Sequence, residues 1–142
     1  PFEGPVAPAA AARVADALAD LGCYEISLAD TIGRARPEAV AAMLEAVLQG
    51  LPADRLAGHF HDTAGQALAN VEVALDLGLR VFDAAAGGLG GCPYAPGAAG
   101  NLATEALAAR LADLGYETGL DAAVLAEAAD MARALRLRRE AT

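Results

Sequence analysis

Two histidines are the residues of this sequence whose type and spacing most clearly suggest chemistry. His59 and His61 are the only 2 histidines in the chain, and one residue separates them within a short apolar run, 56–61. In a β-strand, side chains at positions i and i+2 point to the same face, so the two imidazoles would lie side by side. Neutral imidazole is a common metal ligand, which favours a metal site. The alternative is a pair of structural histidines.

The ligands that could complete such a site indicate which metal it suits. The sequence has no second cluster of cysteine and histidine, so we expect oxygen ligands such as Asn101 and a carboxylate. Nitrogen ligands alone would suit zinc or a later transition metal, whereas oxygen ligands suit magnesium or manganese. The pattern therefore favours Mg²⁺ or Mn²⁺.

A glycine-rich loop from Gly87 to Asn101 is the second candidate, with Cys92 among its glycines. Glycine is the usual residue where the backbone needs a positive φ or approaches a ligand closely, so the loop is a site candidate. Cys92 is unlike the buried thiol that is the common fate of a free cysteine. It could be a nucleophile, or an acid that delivers a proton once the loop closes. An incidental loop thiol is the alternative.

Two aspartates follow or lie within strand-like segments. Asp30 lies two residues after the end of the run 23–28 and could bind a substrate or cap the entry to the next helix. Asp83 falls within a third strand-like run and could face the interior of a barrel. For Asp83 we expect a structural hydrogen bond.

Helical and strand-like patterns alternate along the chain. The patterns predict strands at 23–28, 56–61 and about 79–85, with helices at 8–21, 37–48, about 65–77, after Asn101 and after Asp121. Asn101 and Asp121 are expected as N-caps of the last two helices. This α/β alternation is typical of βα units around a parallel sheet. Polar residues at the ends of the strands suit an open sheet or a barrel, and small polar inner faces favour the barrel.

Apolar stripes at helical spacing predict which helix faces are buried. The stripe of the first predicted helix is Val14, Leu18 and Leu21, and that of the last is Val124, Leu125, Ala128, Met131 and Leu135. In the first strand-like run, Tyr24, Ile26 and Leu28 are expected on one buried face.

Composition narrows the function classes. The 142 residues are 56% hydrophobic with a net charge of −9 and no lysine, which fits one domain or part of one and argues against nucleic-acid binding. The basic cluster Arg133, Arg136, Arg138 and Arg139 is interpreted as a solvated helix end. No apolar run reaches membrane-spanning length. Cys23 and Cys92 lie in unlike contexts, which predicts no disulfide, a reducing compartment and a core position for Cys23.

Three runs of the sequence together resemble the hydroxymethylglutaryl-CoA lyases. They are residues 22–33, the His-Phe-His-Asp-Thr run at 59–63, and residues 88–105, which contain Gly-Leu-Gly-Gly-Cys-Pro-Tyr and end in Asn-Leu-Ala-Thr-Glu. The resemblance extends from Pro1 to about Leu125 in order and spacing. The His-x-His motif is shared with a wider superfamily of metal-dependent lyases and synthases that includes isopropylmalate and homocitrate synthases. The cysteine-bearing loop is more particular to the lyases.

The resemblance implies a (β/α)8 TIM barrel that cleaves 3-hydroxy-3-methylglutaryl-CoA to acetoacetate and acetyl-CoA by a retro-Claisen reaction, in leucine degradation and ketone body metabolism. It implies an Mg²⁺ or Mn²⁺ ion held by His59, His61 and Asn101. Cys92 and His59 are the implied catalytic residues. We also expect Asp30, Gly90 and Gly91 to contact the substrate.

The resemblance further implies that residues 1–142 are the C-terminal part of the barrel, namely strands six to eight with their helices. In the family, the first strand also supplies an aspartate ligand and a neighbouring arginine that binds substrate oxygens, and neither is in this sequence. We therefore expect that residues 1–142 are a fragment of a longer protein, or that another chain supplies the missing half, and that this chain has no lyase activity alone.

The complete protein is expected to be a homodimer that acts on an acyl-CoA and has no nucleic-acid or membrane partner. We expect it in the cytoplasm, or in the mitochondrial matrix if the source is a eukaryote. Two alternatives stay open: a lyase for a longer 3-hydroxy-3-alkylglutaryl-CoA, and a non-catalytic metal-binding fragment.

Overall fold

The computed structural model of the chain describes residues 4–91 and 100–140. Helices and strands alternate through most of it, as the sequence pattern predicts. The elements are α1 Pro8–Asp20, β1 Ile26–Asp30, α2 Pro37–Val47, β2 Leu56–Phe60, α3 Ala67–Asp76, β3 Val81–Asp83, α4 Thr104–Asp113 and α5 Ala122–Glu140, with short 3₁₀ turns at Ala53–Arg55 and Ala86–Gly88.

The three strands form one parallel sheet in the order β1, β2, β3. The register aligns Ala29 with His59 and His59 with Asp83, so these three positions form one row across the sheet. Parallel strands require crossover connections, and α2 and α3 supply them. Because all three strands run the same way, their C-terminal ends and the loops that follow lie along a single edge.

The core lies between the sheet and the helices α1 to α3. Large side chains from the outward face of the strands and from the helices are fully buried there, among them Leu44, Leu56, Phe60, Val71 and Leu79. Phe60 points to this layer, which leaves its neighbours His59 and His61 on the inner face of the sheet. Cys23 packs against the core as expected, although only partly buried.

The predicted buried face of α1 is wrong. Val14 and Leu21 are 61% and 81% exposed, while Ala15 is buried against the core. Alanine allows a close approach of two helices, and the alanine face of α1 packs on α2. Val14 and Leu18 instead line an apolar groove of about 340 Å³ beside β1, at an edge of the described sheet.

The predicted stripe of α5 is also wrong, because Val124, Met131 and Leu135 are exposed. Within residues 122–135, the part of this helix whose burial the structure describes, Ala129 and Ala132 are buried, and there α5 packs on the turn Ala86–Gly88. Tyr24 lies before β1 and is 86% exposed, unlike Ile26 and Leu28. The three errors share a cause, since each apolar side chain lies where the described residues offer it no partner.

The ends of the helices follow the sequence signals more closely. Gly22, Gly78 and Gly115 end α1, α3 and α4 with φ between 84° and 97°, a conformation that costs glycine little. Asp121 caps α5 through hydrogen bonds from the N–H groups of Ala123 and Val124. Within the described ranges, no helix combines the length and apolarity that crossing a membrane requires.

Candidate active site

The two histidines lie side by side, as the strand pattern predicts. His59 is the penultimate residue of β2 and His61 follows the strand directly. Their ring centroids are 5.0 Å apart with an interplanar angle of 72°. His59 is half-buried and His61 is buried. Both imidazoles therefore reach the carboxyl-end edge of the sheet.

His61 is oriented by the loop after the neighbouring strand. Its Nδ1 atom lies 3.0 Å from the main-chain oxygen of Asp30. A carbonyl oxygen only accepts hydrogen bonds, so this contact places the ring proton on Nδ1 and leaves the lone pair of Nε2 free. A second ring nitrogen bonded to a carbonyl is the usual arrangement behind a metal-binding histidine.

Asn101 pairs directly with His61 through an isolated antiparallel β-bridge. The N–H of Asp62 donates to the oxygen of Gly100, and the N–H of Leu102 donates to the oxygen of Phe60, both at 3.0 Å. The segment around Asn101 therefore lies beside the histidines, at the carboxyl ends of the strands. This bridge also explains why the predicted N-cap role of Asn101 is wrong: α4 begins three residues later, after Ala103.

The side chain of Asn101 has one satisfied and one unsatisfied end. Its Nδ2 donates to the oxygen of Leu89 at 3.0 Å, while its Oδ1 is buried and finds no hydrogen-bond partner among the described residues. An unpaired buried polar atom costs about 1–3 kcal/mol, so such an atom calls for an explanation. A divalent cation would supply the missing partner, and the amide oxygen has the right chemistry to bind one.

His59 faces a second polar group on the inner side of the sheet. Its Nδ1 lies 3.7 Å from Oδ2 of Asp83, which also accepts a hydrogen bond of 2.8 Å from the Ser27 hydroxyl. The structural hydrogen bond expected for Asp83 is confirmed. Ser27, His59 and Asp83 belong to three different strands, so their inner face is polar, as the barrel interpretation predicts.

Asp30 holds the loop between β1 and α2. Its two carboxylate oxygens accept hydrogen bonds from the N–H groups of Gly33 at 3.0 Å and Ala35 at 2.8 Å. These bonds lie within the loop, and α2 begins at Pro37 after Arg36 without a side-chain cap, so the predicted capping role of Asp30 is wrong. Its binding to a substrate stays a prediction. The loop interlocks with the one after β2, since a Cβ on Gly33 would lie 2.7 Å from the Thr63 nitrogen.

The glycine-rich loop is described up to Gly91 and again from Gly100; Cys92 lies outside the described residues. A Cβ on Gly90 would lie 2.9 Å from Nδ2 of Asn101, and one on Gly100 would lie 2.7 Å from the oxygen of Gly88. The sequence predicted that the backbone of this loop approaches a ligand closely. In the described part of the loop, the groups that lie close to its glycines are Asn101 and the main chain of the loop itself. Gly91 is exposed.

Glu105 and Arg133 were missed by the sequence reasoning as parts of this region. Glu105 accepts hydrogen bonds from the N–H of Gly87 at 3.0 Å and from Nη1 of Arg133 at 2.7 Å. Burial raises the pKa of Glu105, but the hydrogen bonds from its own and Gly87 N–H groups and from Arg133 outweigh it and lower that pKa. Arg133 is therefore more than a solvated helix end.

The chain offers two imidazoles and one amide oxygen as ligands. Among the described residues, histidine, cysteine, aspartate and glutamate form no cluster of three or more that could hold a metal ion. Asn101 is not one of these four residue types. Its unpaired oxygen and its β-bridge to His61 are the features that identify it as a candidate ligand.

Parallel βα units with polar side chains gathered at the carboxyl ends of the strands are typical of (β/α)8 barrels, and the chain is part of such a barrel. The family follows from sequence comparison. A family model described as HMGL-like matches residues 2–132, and the chain belongs to this family.

Individual relatives agree in sequence and in structure. The chain is 57% identical over 127 residues to the hydroxymethylglutaryl-CoA lyase of Pseudomonas mevalonii, covering 89% of this chain and 42% of that protein. The crystal structure of the HMG-CoA lyase from Brucella melitensis superposes with a TM-score of 0.94 at 57% identity, covering 96% of this chain and 48% of that one.

A second solved structure is a complex with ligands. It is an HMG-CoA lyase from Acinetobacter baumannii in complex with coenzyme A and 3-methylmalate, with a TM-score of 0.83 and 41% identity over 90% of this chain and 42% of that one. The chain thus spans less than half the length of the relatives it matches.

Proposed function

We propose that this chain is the C-terminal part of a divalent-metal-dependent carbon–carbon lyase that cleaves 3-hydroxy-3-methylglutaryl-CoA to acetoacetate and acetyl-CoA. The observation that carries the proposal is the pairing of His61 with Asn101, whose Oδ1 is buried and unpaired among the described residues, in a chain of the HMGL-like family. The three relatives described above carry the name of this lyase.

His59, His61 and Asn101 are the proposed ligands of the cation. Imidazole nitrogens together with an amide oxygen and further oxygen ligands fit Mg²⁺ or Mn²⁺. The fit is supported by the orientation of His61 through Asp30 and by the unpaired oxygen of Asn101. When bound, the cation supplies Lewis-acid activation of the tertiary hydroxyl of the substrate.

The reaction breaks one carbon–carbon bond and moves one proton. The hydroxyl at C3 loses its proton, the bond between C2 and C3 breaks, and C3 becomes the ketone carbon of acetoacetate. The electron pair of the broken bond passes to C2, as the enolate of acetyl-CoA, and that carbon must be protonated. We assign to His59 the transfer of the hydroxyl proton, because it is the less buried histidine and lies beside Asp83. A neutral imidazole has one basic lone pair, so His59 would accept the proton on the lone pair that it otherwise offers to the cation.

Cys92 is the proposed acid that protonates the enolate; the proton held by His59 then passes, directly or through solvent, to the Cys92 thiolate, so that both groups return to their starting states. The assignment rests on its sequence context and on the family resemblance, since the residue lies outside the described ranges. Gly90 and Gly91 are proposed substrate contacts because they precede Cys92 in the sequence and lie close to Asn101 and Gly100, respectively. Asp30 is proposed to act on substrate from the same edge, where its loop contacts His61.

Residues 1–142 are proposed to form a partial barrel domain whose N-terminal half another segment or chain supplies. Its support is the exposure of inner-face residues such as Ser27, Ala29 and Asp83, which a closed barrel would enclose. We further propose an acyl-CoA as the natural substrate, a homodimeric complete protein and a cytoplasmic location. The coenzyme A complex of the Acinetobacter relative supports the first of these.

The test is a coupled assay of acetoacetate formation by the complete protein with 3-hydroxy-3-methylglutaryl-CoA and Mg²⁺. We expect Cys92→Ala to lower kcat by roughly 10²–10⁴-fold, the usual share of general acid catalysis. Normal turnover in that variant would remove Cys92 from the mechanism. The absence of any turnover in the parent would favour a non-catalytic protein. Faster turnover of a longer 3-hydroxy-3-alkylglutaryl thioester would change the substrate.

A further inference from the structure

The turn Ala86–Gly88 at the start of the glycine-rich loop is held by two helices. The N–H of Gly87 donates to Oε2 of Glu105 in α4, and Oε1 of the same carboxylate accepts from Arg133 in α5. One carboxylate therefore joins the loop to both helices. We refer to Gly87, Glu105 and Arg133 together as the Gly87 anchor.

Packing fixes the same turn from the side of α5. Gly87 has a φ of 62°, and a Cβ on it would lie 2.7 Å from the oxygen of Ala129 and 3.2 Å from the Cβ of Ala132. Both alanines are buried, at 0% and 7% exposure. The turn thus lies directly against the helix, and no side chain fits between them.

The turn Ala86–Gly88 lies next to Asn101 in space. Gly88 adjoins Asn101 so closely that a Cβ on Gly88 would lie 3.1 Å from its main-chain oxygen. The next residue, Leu89, accepts the hydrogen bond from Asn101 Nδ2. This bond decides which way the amide faces, and so where the unpaired Oδ1 points. A displaced turn would release the bond.

We propose that the Gly87 anchor positions Asn101 as a metal ligand. Glu105 and Arg133 act at a distance, through the Leu89 carbonyl that orients the amide, and are positioning residues. The inference rests on the proposed function, in which Oδ1 of Asn101 binds the cation. It assigns a role to two helix residues that touch neither the metal nor the substrate.

The test uses variants of the complete protein and two measurements. In metal-free protein, hydrogen exchange of the amides at 86–89 should accelerate by on the order of tenfold in Glu105→Ala, because the turn opens locally. The Kd for Mn²⁺, measured by calorimetry, should rise by roughly 10–100-fold, as for other supports of metal ligands. Glu105→Gln should restore most of the affinity, since its amide oxygen still accepts from Gly87.

Glu72→Ala is the matched control. Glu72 pairs with Arg110 at 2.9 Å, an ion pair of the same kind between α3 and α4, away from the loop. It should change neither the exchange at 86–89 nor the Kd for Mn²⁺. If Glu105→Ala fails to fold, Arg133→Met leaves the Gly87 hydrogen bond in place and carries the same comparison with a smaller expected effect.

Equal behaviour of Glu105→Ala and Glu72→Ala in both measurements would overturn the inference and leave Glu105 as a structural ion pair. Faster exchange with an unchanged Kd for Mn²⁺ would also overturn it. The Asn101→Ala variant, measured alongside, separates failure of this inference from failure of the proposed function. If Glu105→Ala gives one of these negative results and Asn101→Ala binds Mn²⁺ weakly, only the role of the anchor is refuted. If Asn101→Ala binds Mn²⁺ normally, the proposed ligand set is refuted.

Discussion

At the scale of single residues, two asparagines each have a buried Oδ1 atom but differ in their place in the fold. Asn70 and Asn101 each donate from Nδ2 to a main-chain oxygen, and each has a buried Oδ1 without a partner in the described part of the chain. Asn70 donates to Ala35 from α3. Asn101 pairs with His61 at the carboxyl-end edge of the sheet. Of the two, Asn101 is therefore the one suited to contribute to a site with the histidines.

This contrast gives a prediction for the complete protein. Asn101→Ala should raise the Kd for Mn²⁺ by on the order of 100-fold, at least the loss that outer-sphere partners of a metal cause. Asn70→Ala should leave that Kd unchanged and lower stability by about 1–3 kcal/mol, because it removes a buried hydrogen bond. Calorimetric titration measures the Kd for Mn²⁺, and urea unfolding measures the change in stability. Equal metal affinities in both variants would count against Asn101 as a ligand.

The sequence predicted the site unevenly at this scale. The period of a strand places His59 and His61 on one face, and the rule requires no knowledge of tertiary structure. Asn101 could be named as an oxygen ligand, but its N-cap assignment was wrong because a β-bridge to a residue 40 positions away sets its backbone. Glu105 and Arg133 meet across 28 residues, a contact that no local pattern encodes.

At the scale of elements, the loops after β1 and β2 interlock at Gly33. This glycine has a φ of 66°, and a Cβ on it would lie 2.7 Å from the Thr63 nitrogen and 2.8 Å from the His61 carbonyl carbon. Gly119 has a similar φ of 71°, but a Cβ on it would have no atom of the described residues within 4 Å. Substitutions at Gly33 and Gly119 therefore distinguish the cost of backbone strain from the cost of steric contact with the site.

We predict that Gly119→Ala costs about 1–2 kcal/mol of folding free energy, the strain of a left-handed alanine. Gly33→Ala should cost roughly 1–3 kcal/mol more, because the methyl group displaces the backbone of His61 and Thr63. It should also weaken Mn²⁺ binding, which Gly119→Ala should not. Urea unfolding and calorimetry measure both effects. Similar losses of stability in the two variants would mean that the loops separate easily.

The pH dependence of stability tests the link between α4 and α5. The pKa of Glu105 lies below its ordinary value of 4.5, so folding favours the ionised carboxylate. Its contribution is fully present above about pH 4.5 and is lost as the pH falls through the lower folded value. The Tm difference between the parent and Glu105→Gln should therefore be constant from about pH 5 to 7 and shrink at lower pH. A difference that grows on acidification would contradict the assignment.

The order of elements was predictable, whereas the buried faces of α1 and α5 were not. Periodicity and glycine signals located α1, α2 and α3 to within a few residues, because these signals are local. The apolar residues Val14 and Leu18 were expected in the core, but they border the edge of β1 that pairs with no other strand of the described ranges. A hydrophobic pattern indicates that a helix face is buried, but it does not indicate which segment of the protein covers that face.

At the scale of the whole molecule, the described sheet has two open edges and an open inner face. β1 and β3 each pair on one side only within the described residues. Ser27, Ala29 and Val81 on the inner face are exposed. Unpaired strand edges and half-covered apolar faces favour association with another segment. The polar row of His59 and Asp83 would become the interior of a barrel on closure.

We therefore predict that the isolated chain has no lyase activity, binds the dye ANS and associates in solution, because its inner face and edges are uncovered. Co-expression with the N-terminal half of the Pseudomonas mevalonii relative should abolish ANS binding and give acetoacetate from 3-hydroxy-3-methylglutaryl-CoA with Mg²⁺. Ser27→Asp on the inner face should impair this complementation, whereas Glu38→Lys on the exposed side of α2 should not. An isolated chain that is monomeric, silent towards ANS or catalytically active would refute the partial-barrel proposal.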